Sequence, residues 1–346
     1  MVLKLKDKEI WKKLLLKINS KNRDIYYTPE YYSLYQALGD GTALCFVYES
    51  NKEIAIYPFL INSVNSLGYD LDKEYFDIQG AYGYNGIIST CQEPHFINDF
   101  YEEFNKYCQD ENIIAEFTRF NPILANQNFS KDYLSCSFNR NTVSVDLKQS
   151  HDDITTQFNS SCKRAIKKAK KNDLTVKVYK NKYPFREAFI EMYYETMNRL
   201  SSIDYLFFND KYLNSLFDEL NVDHFVVFYN ERPIASSICI TSENYFHYHL
   251  GASYSQYLDL RPNNILFYHM IKISKEKEYE LLHLGGGNSE KIDDSLLKYK
   301  KNFSQNISDF YIGKRIHNQS VYNEVISQWR IKNKNKDNNL LLRYRN

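Results

Sequence analysis

The sequence predicts an α/β (α+β) protein built from two tandem units of similar design. Each is a mixed sheet flanked by helices, with a cleft between them and no coiled-coil arm. Three observations carry this. At 346 residues the chain is long enough for two cores. Strand and helix patterns alternate along it. And one hairpin grammar occurs twice: CFVYESNKEIAIYPFLI (45–61) and HFVVFYNERPIASSICIT (224–241) share a Phe-Val entry, an Asn-centred turn and an Ile-Ala exit. Each hairpin is later followed by a helix and then a strand, over 94–118 and 263–285, so the matching order reads as an internal duplication.

In chain order, Ile10, Trp11, Leu14, Leu15 and Ile18 mark one face of an opening amphipathic helix. TPEYYSLYQALG predicts a short helix from Thr28-Pro29 to a stop at Gly39. The first hairpin turns at Asn51-Lys52; EPHFINDFYEEFNKYCQDEN is then helical and NIIAEFTRF a strand. VSVDL is a strand, and Ser150 with Asp153 forms a cap for the next helix. The expected division is therefore a first domain over 1–148, a second over 149–331, and a basic polar tail over 332–346. The stretch KNKNKDNN (332–339) reads as a solvated linker.

Composition is that of an ordinary globular protein, with 43% hydrophobic and 25% charged residues. The 31 Tyr and 22 Phe accompany abundant Asn, Lys and Ile, as an AT-rich coding sequence produces without selection. A net charge of +1 supplies no long-range field, so any nucleic-acid contact needs a local patch. The six cysteines lack C-x-x-C spacing and read as buried thiols. The charged start has no apolar signal run, and no stretch approaches the ~20 apolar residues of a membrane span. The expected location is the cytoplasm, with at most peripheral membrane contact.

Several stretches carry possible chemistry. The run KRAIKKAKK (163–171) sets Cys162, Ala165, Ile166 and Ala169 as a narrow apolar seam beneath six cations. It is either a solvated face or a phosphate or RNA patch through Lys163, Arg164, Lys167 and Lys168. His247 and His249 share one side of a strand. No metal site is expected, because no Cys, His or carboxylate accompanies them at ligand spacing; each is a cleft residue or a core histidine. LHLGGGN (282–288) is either an anion cradle or a tight turn, and GAYGYNG (80–86) presents Tyr82, Gly83 and Tyr84 on a loop. Arg119 ends a strand, where it would bind a carboxylate or phosphate or form a structural ion pair. HYHLGASYSQYLDLRPNNILFYHMIK (247–272) runs strand, loop, helix, and its junction Arg261-Pro262-Asn263-Asn264 has no glycine, unlike loops that cradle phosphate on bare backbone.

The ordered series IASSICIT, HYHLGAS, RPNNILFYHMI, LLHLGGG and LLKYKKNFSQ resembles the C-terminal half of the Fem-type (FemABX-like) peptidoglycan-bridge aminoacyltransferases. FDIQGAYGYNG and EFTRFNPILAN resemble first-domain segments of that group, and the likeness spans about residues 25–315. It implies two GNAT-like domains, the first an acceptor-side scaffold and the second the donor and catalytic side. It also implies transfer of an acyl group, most often an aminoacyl group from aminoacyl-tRNA, to an amine of a nucleotide- or lipid-linked cell-wall or surface-glycan precursor. The family's F-K-x-x-F pattern falls on Tyr299, Lys300 and Phe303, which makes Lys300 the stabiliser of charge at the reacting carbonyl. His249 or His247 would assist the amine, or the substrate would supply its own base. Tyr82, Gly83, Tyr84, Arg119, Arg199 and His247 would meet the acceptor, and Arg261, Asn263, Asn264, Gly285 and Gly286 the donor. No tightly bound cofactor is expected; the co-substrate is aminoacyl-tRNA or acyl-CoA. Two departures stand out: no lysine matches the family's early acceptor-phosphate residue, and the glycines of acetyl-CoA-binding loops become Asn264 and Leu266. The alternatives are an acyl-CoA-dependent N-acetyltransferase acting on an amino sugar, and a non-catalytic nucleotide-sugar or glycan-binding module.

Overall fold

The computed structural model describes residues 1–200, 207–291, 293–333 and 340–345. The chain divides into two compact units, Met1–Asn139 with Phe310–Asn346, and Arg140–Asp309.

The first unit opens with β1 (Val2–Lys4), α1 (Lys8–Lys17) and α2 (Pro29–Leu38). β2 (Thr42–Ser50), β3 (Glu53–Ser63), β4 (Phe76–Gln79) and β5 (Ile88–Ser89) follow, then α3 (Pro94–Asp110), β6 (Ile113–Arg119) and the start of β7 (Ser135–Asp146). α2 forms as its termini dictate. The Thr28 hydroxyl accepts from the Tyr31 amide, Pro29 sits at the first helical position, and Gly39 closes the helix at φ 91°. α1 buries Trp11, Leu14 and Leu15 but leaves Ile10 half exposed, so Ile10 lies off the predicted stripe. α3 turns Phe96, Phe100, Phe104 and Cys108 inward, and Phe104 packs edge-on against Phe46 and Tyr57 of the sheet.

The second unit takes the end of β7, then α4 (His151–Thr156), α5 (Ser160–Lys171), β8 (Thr175–Tyr179), α6 (Arg186–Arg199) and α7 (Asp210–Glu219). β9 (Asp223–Tyr229), β10 (Arg232–Thr241), β11 (Tyr245–Ser253), α8 (Pro262–Glu276), β12 (Leu281–Gly286), α9 (Ser295–Lys301) and the start of β13 (Asn306–Ile316) complete it. The strands run β8-β9-β10-β11-β12-β7, with β11 and β12 parallel and the other neighbours antiparallel. α8 lays Ile265, Leu266, Phe267, Met270 and Ile271 over Phe225, Val227, Phe246 and Leu282 to make the core.

The two hairpins share their turn chemistry. Asn51 and Lys52 lie at φ 50° and 71°, and Asn230 and Glu231 at 48° and 63°. Positive φ at both central residues is the turn that matches strand twist, and Asn tolerates it best. The strand-helix-strand succession recurs in each unit. Every cysteine is a free thiol, with Cys91 and Cys136 only partly buried.

The division between units differs from the expected one. The end of β13, Ile312–Ile316, pairs antiparallel with β6, and α10 (Gln319–Lys332) packs Val325 and Trp329 beside Tyr69, Tyr75 and Ile114. Residues 310–332 therefore complete the first unit. Most of the run read as a linker, 334–339, lies outside the described residues. Beyond it the chain is not a solvated tail. Leu341, Leu342 and Tyr344 are buried, the Tyr69 and Tyr322 hydroxyls donate to the Tyr344 and Leu341 carbonyls at 2.8 Å, and the Arg345 guanidinium meets buried Asp77 at 2.7 Å. No helix among the described residues is long and apolar enough to cross a membrane.

Candidate active site

The three-glycine run closes the C-terminal end of β12, and each glycine has its own cause. Gly285 adopts φ 76°. A Cβ on Gly286 would come within 3.1 Å of Arg140 Cδ, and one on Gly287 within 2.3 Å of Asp294 Oδ1. Asp294 organises the loop: its carboxylate accepts from the Asn288 and Ser289 amides at 3.0 Å, the Ser289 hydroxyl at 2.9 Å and the Leu297 amide at 2.9 Å. Burial pushes this carboxyl up, but the hydrogen bonds from Leu297, Ser289 and Asn288 hold it below its ordinary value. As the N-cap of α9 it fixes the helix that carries Tyr299 and Lys300.

Lys300 is only 5% exposed. Its Nζ donates to the Gly286 carbonyl at 2.7 Å and lies 3.4 Å from where a Gly285 Cβ would stand. Arg140 donates to the next carbonyl, Gly287, at 2.9 Å. Burial lowers the Lys300 ammonium to about 7; Asp294 raises it and Arg140 lowers it further. The amine is thus balanced between charged and neutral forms near neutral pH. Tyr248 lies 5.6 Å from Nζ, and a Cβ on Gly251 would fall 1.9 Å from the Tyr248 hydroxyl, so glycine is needed there.

On the adjoining side of α9 lies a hollow of about 420 Å³. α5 contributes Cys162, Arg164 and Lys168, the start of α8 contributes Arg261 and Asn264, and α9 with its following residue contributes Tyr299 and Asn302. Arg261 occupies the left-handed region at φ 65° and leaves α8 without a side-chain cap. That conformation costs an arginine about 1–2 kcal/mol. Pro262 follows at the first helical position, Asn264 bonds to Cys162, and Leu266 is buried in the core. The Asn264 side chain therefore stands in the hollow where a glycine would offer bare backbone. The Tyr299 hydroxyl is buried with no hydrogen-bond partner among the described residues. Burial drives its proton affinity well up, neighbouring Tyr248 and Cys162 add to this, and Arg261 opposes it.

The fold thus brings Arg164, Lys168, Arg261, Asn264 and Tyr299 together, with Lys300, Gly285 and Gly286 on the same helix-strand junction. It does not gather the other candidates there. Lys163 and Lys167 lie on the opposite flank of α5. Asn263 reaches toward the Ser253 hydroxyl at 3.4 Å. Arg199, expected at an acceptor, donates to the Ser253 carbonyl and the Ser255 hydroxyl, at 3.0 and 2.7 Å, and so fastens the end of β11. His247 is fully buried and out of reach of a substrate, its ring 5.7 Å from that of His283. His249 bonds to the Tyr212 hydroxyl at 3.0 Å, and burial followed by His247 lowers its proton affinity to about 3, which makes it a weak base.

In the first unit, Arg119 is committed to the loop it was expected to share with a ligand. Its guanidinium donates to the carbonyls of Gly80, Ala81 and Gly83 at 3.0, 2.9 and 3.2 Å. Gly83, at φ 98°, leaves no space beside the Tyr26 ring, Tyr84 packs edge-on against Tyr26 and Phe310, and the Tyr82 carbonyl accepts from Tyr31. These contacts describe a rigid, internally satisfied loop. Cys162, Asn302, Tyr248, Gly251, Arg140 and Asp294 were missed as site residues. Only Asp294 carried a signal, an Asp three residues ahead of an apolar position at a helix start.

Residues 157–301 match the family model Acetyltransf_6, the acetyltransferase (GNAT) domain. That match covers most of the second unit, which is thereby similar to a GNAT acetyltransferase domain. Among solved structures, FemX is similar at 15% identity and TM-score 0.68, covering 91% of this chain and 97% of that one. The L-PGS of Bacillus licheniformis is 14% identical over 93% and 96% of the two chains at TM-score 0.54. A tandem GNAT protein from the clavulanic acid biosynthesis pathway is 7% identical over 92% and 98% at TM-score 0.52. No functionally curated protein matches the sequence. The chain has the tandem GNAT fold of the Fem type.

Proposed function

We propose that the protein transfers an aminoacyl group from aminoacyl-tRNA to an amine of a nucleotide- or lipid-linked cell-wall or surface-glycan precursor. The observation that carries this is the hollow beside α9, where Arg164, Lys168 and Arg261 meet an uncapped helix N-terminus beside Tyr299. Three cations and the helix dipole suit a phosphate-bearing donor. The side chain of Asn264 disfavours the close backbone approach that a pyrophosphate makes in a glycine loop, and this weighs against acyl-CoA. FemX supports the reading as a protein of the same fold; its activity comes to this chain only as part of the proposal.

In this reading the acceptor amine attacks the ester carbonyl, the C–N bond forms and the C–O bond breaks. The amine's proton ends on the departing ribose oxygen. Lys300, in its ammonium form, faces the negative charge that develops on the carbonyl oxygen. Tyr299 lines the hollow that receives the donor. His249 is too weakly basic to take the amine's proton, so the substrate does so, or neutral Lys300, which thereby becomes the ammonium facing the carbonyl oxygen and then passes the proton to the ribose oxygen.

The test incubates the protein with charged total tRNA or with acetyl-CoA, adds candidate amine-bearing precursors, and follows their mass. A tRNA-dependent mass increase that Lys300→Ala abolishes is expected. An acetyl increment from acetyl-CoA would replace this reading with the N-acetyltransferase one. Precursor binding without any transfer would favour a binding module.

A further inference from the structure

α5 is cationic on two flanks, and only one faces the hollow at Tyr299. Arg164 and Lys168 line that hollow, whereas Lys163, Lys167 and Lys170 line a separate one of about 440 Å³ floored by Tyr268. Lys170 stands over the Tyr268 ring at 4.4 Å, and the His151 ring meets the same tyrosine edge-on at 5.7 Å.

An exposed lysine-rich helix face is usually laced with carboxylates three or four residues away. Here no carboxylate lies within ion-pair distance of any α5 cation among the described residues, although lysines elsewhere are paired, as Lys180 and Lys277 are with Asp223. The first turn of α5 holds no acid, and Lys163 and Arg164 sit in its N-terminal half, where the dipole disfavours cations. The sequence keeps these charges unneutralised on both flanks. A small phosphorylated donor in the Tyr299 hollow would use only one.

We propose that the flank of Lys163, Lys167 and Lys170 is a second docking surface, a track for the phosphodiester backbone of the RNA body whose 3′ end occupies the Tyr299 hollow. This rests on the aminoacyl-tRNA reading above. The three lysines lie at i, i+4 and i+7, a stripe of about 10 Å along the helix. Tyr268 beneath Lys170 gives the stripe a ring against which a base or ribose can stack. A bilayer is the lesser match. The apolar side chains of this hollow, Phe158 and Ile166, are buried, and none of the large apolar side chains exposed among the described residues belongs to α5 or to the hollow.

The experiment measures binding of total bacterial tRNA and of the tetranucleotide ACCA, across a salt series. It compares the intact protein with the triple variant Lys163→Gln, Lys167→Gln, Lys170→Gln, whose folding is verified by circular dichroism. The intact protein is expected to bind tRNA more tightly than ACCA. The variant should lose on the order of tenfold or more in tRNA affinity, lower the salt slope by about 2–3, and leave ACCA binding unchanged. Equal tRNA affinity in both proteins, or equal affinity for tRNA and ACCA in the intact one, would refute the track while leaving the donor site standing. Loss of ACCA binding in the intact protein, with lysine-dependent tRNA binding retained, would refute the donor site and keep the track. Phosphatidylglycerol vesicles provide the last arm: lysine-dependent capture by vesicles with no tRNA binding would overturn the proposal in favour of a membrane surface.

Discussion

Replacing Lys300 by Met should stabilise the protein at low pH and destabilise it at high pH. The reason is the cost of burying the ammonium. Its ordinary value of 10.5 falls to about 7 in the folded chain, first through desolvation. At about 1.4 kcal/mol for each tenfold change in proton affinity, the penalty reaches about 5 kcal/mol once pH lies below both values. The sign follows from proton counting. Between about 7 and 10.5 the unfolded chain binds more protons, so wild-type stability rises with pH across that window and falls as pH drops through it. Met keeps the stem in place but leaves the Gly286 carbonyl without its donor, a loss of about 1–3 kcal/mol at every pH. The variant should therefore gain about 2–4 kcal/mol at pH 6 and lose about 0–2 kcal/mol at pH 10. Denaturant melts at those two pH values read the difference directly. A variant less stable than wild type at both would mean that Lys300 stays charged in the fold, and the balanced amine in the proposed mechanism would go with it.

Asp294→Ala removes the acceptor of four hydrogen bonds and the N-cap of α9. Thermal melts should show a loss of about 1–2 kcal/mol at neutral pH, and the pH profile of transfer should move because Lys300 loses the carboxylate that raises its proton affinity. Because the Asp294 carboxyl is held below its ordinary value, its contribution is present above that value and lost as pH falls through the folded one. Glu231→Gly relieves a left-handed residue at the hairpin turn, φ 63°, and should stabilise by about 1 kcal/mol in the same melts. Arg345→Ala leaves the fully buried Asp77 carboxylate, already pushed up by desolvation, without its guanidinium. A loss of about 3–5 kcal/mol is expected in denaturant melts, with the carboxyl pushed further up; an unchanged melt would show that the C-terminal segment does not stay docked in solution.

The sequence disclosed those features whose cause is local. Asn51 and Asn230 announce their turns because positive φ is a property of the residue, and Thr28, Pro29 and Gly39 bound α2 by their own chemistry. Lys300 was singled out through its resemblance to a motif, and the fold buries it at the end of β12. What stayed hidden depends on partners distant in the chain. Nothing about Arg119 or Arg199 says that each guanidinium will close on backbone carbonyls, and nothing about Cys162 or Asn302 says that folding will set them beside Tyr299. The Leu-Leu-Leu-Arg-Tyr-Arg ending was masked by the polar run before it. Its role depends on Asp77 and Tyr69, which lie more than 200 residues earlier in the chain.

The distribution of unrelieved charge argues for where the chemistry lies. In the first unit several buried ionisable groups are answered by a partner. Asp77 meets Arg345, Glu116 meets His317 and the Tyr57 hydroxyl, Asp24 accepts from Asn121, and Arg119 binds three carbonyls. The second unit can do the same, since Asp223 is clamped by Lys277 and Lys180. Yet around one junction of α5, α8 and α9 it does not. Arg164 and Lys168 of α5 stand without carboxylates, Arg261 is held in a left-handed conformation, the Tyr299 hydroxyl is buried without a partner among the described residues, and Lys300 is desolvated. The left-handed Arg261, the buried unpartnered hydroxyl and the desolvated ammonium each cost stability. Features that conflict with folding and cluster at one place are the mark of a site kept for binding or catalysis. The two flanks of α5 fit a ligand that carries negative charge on more than one side, as the proposal requires.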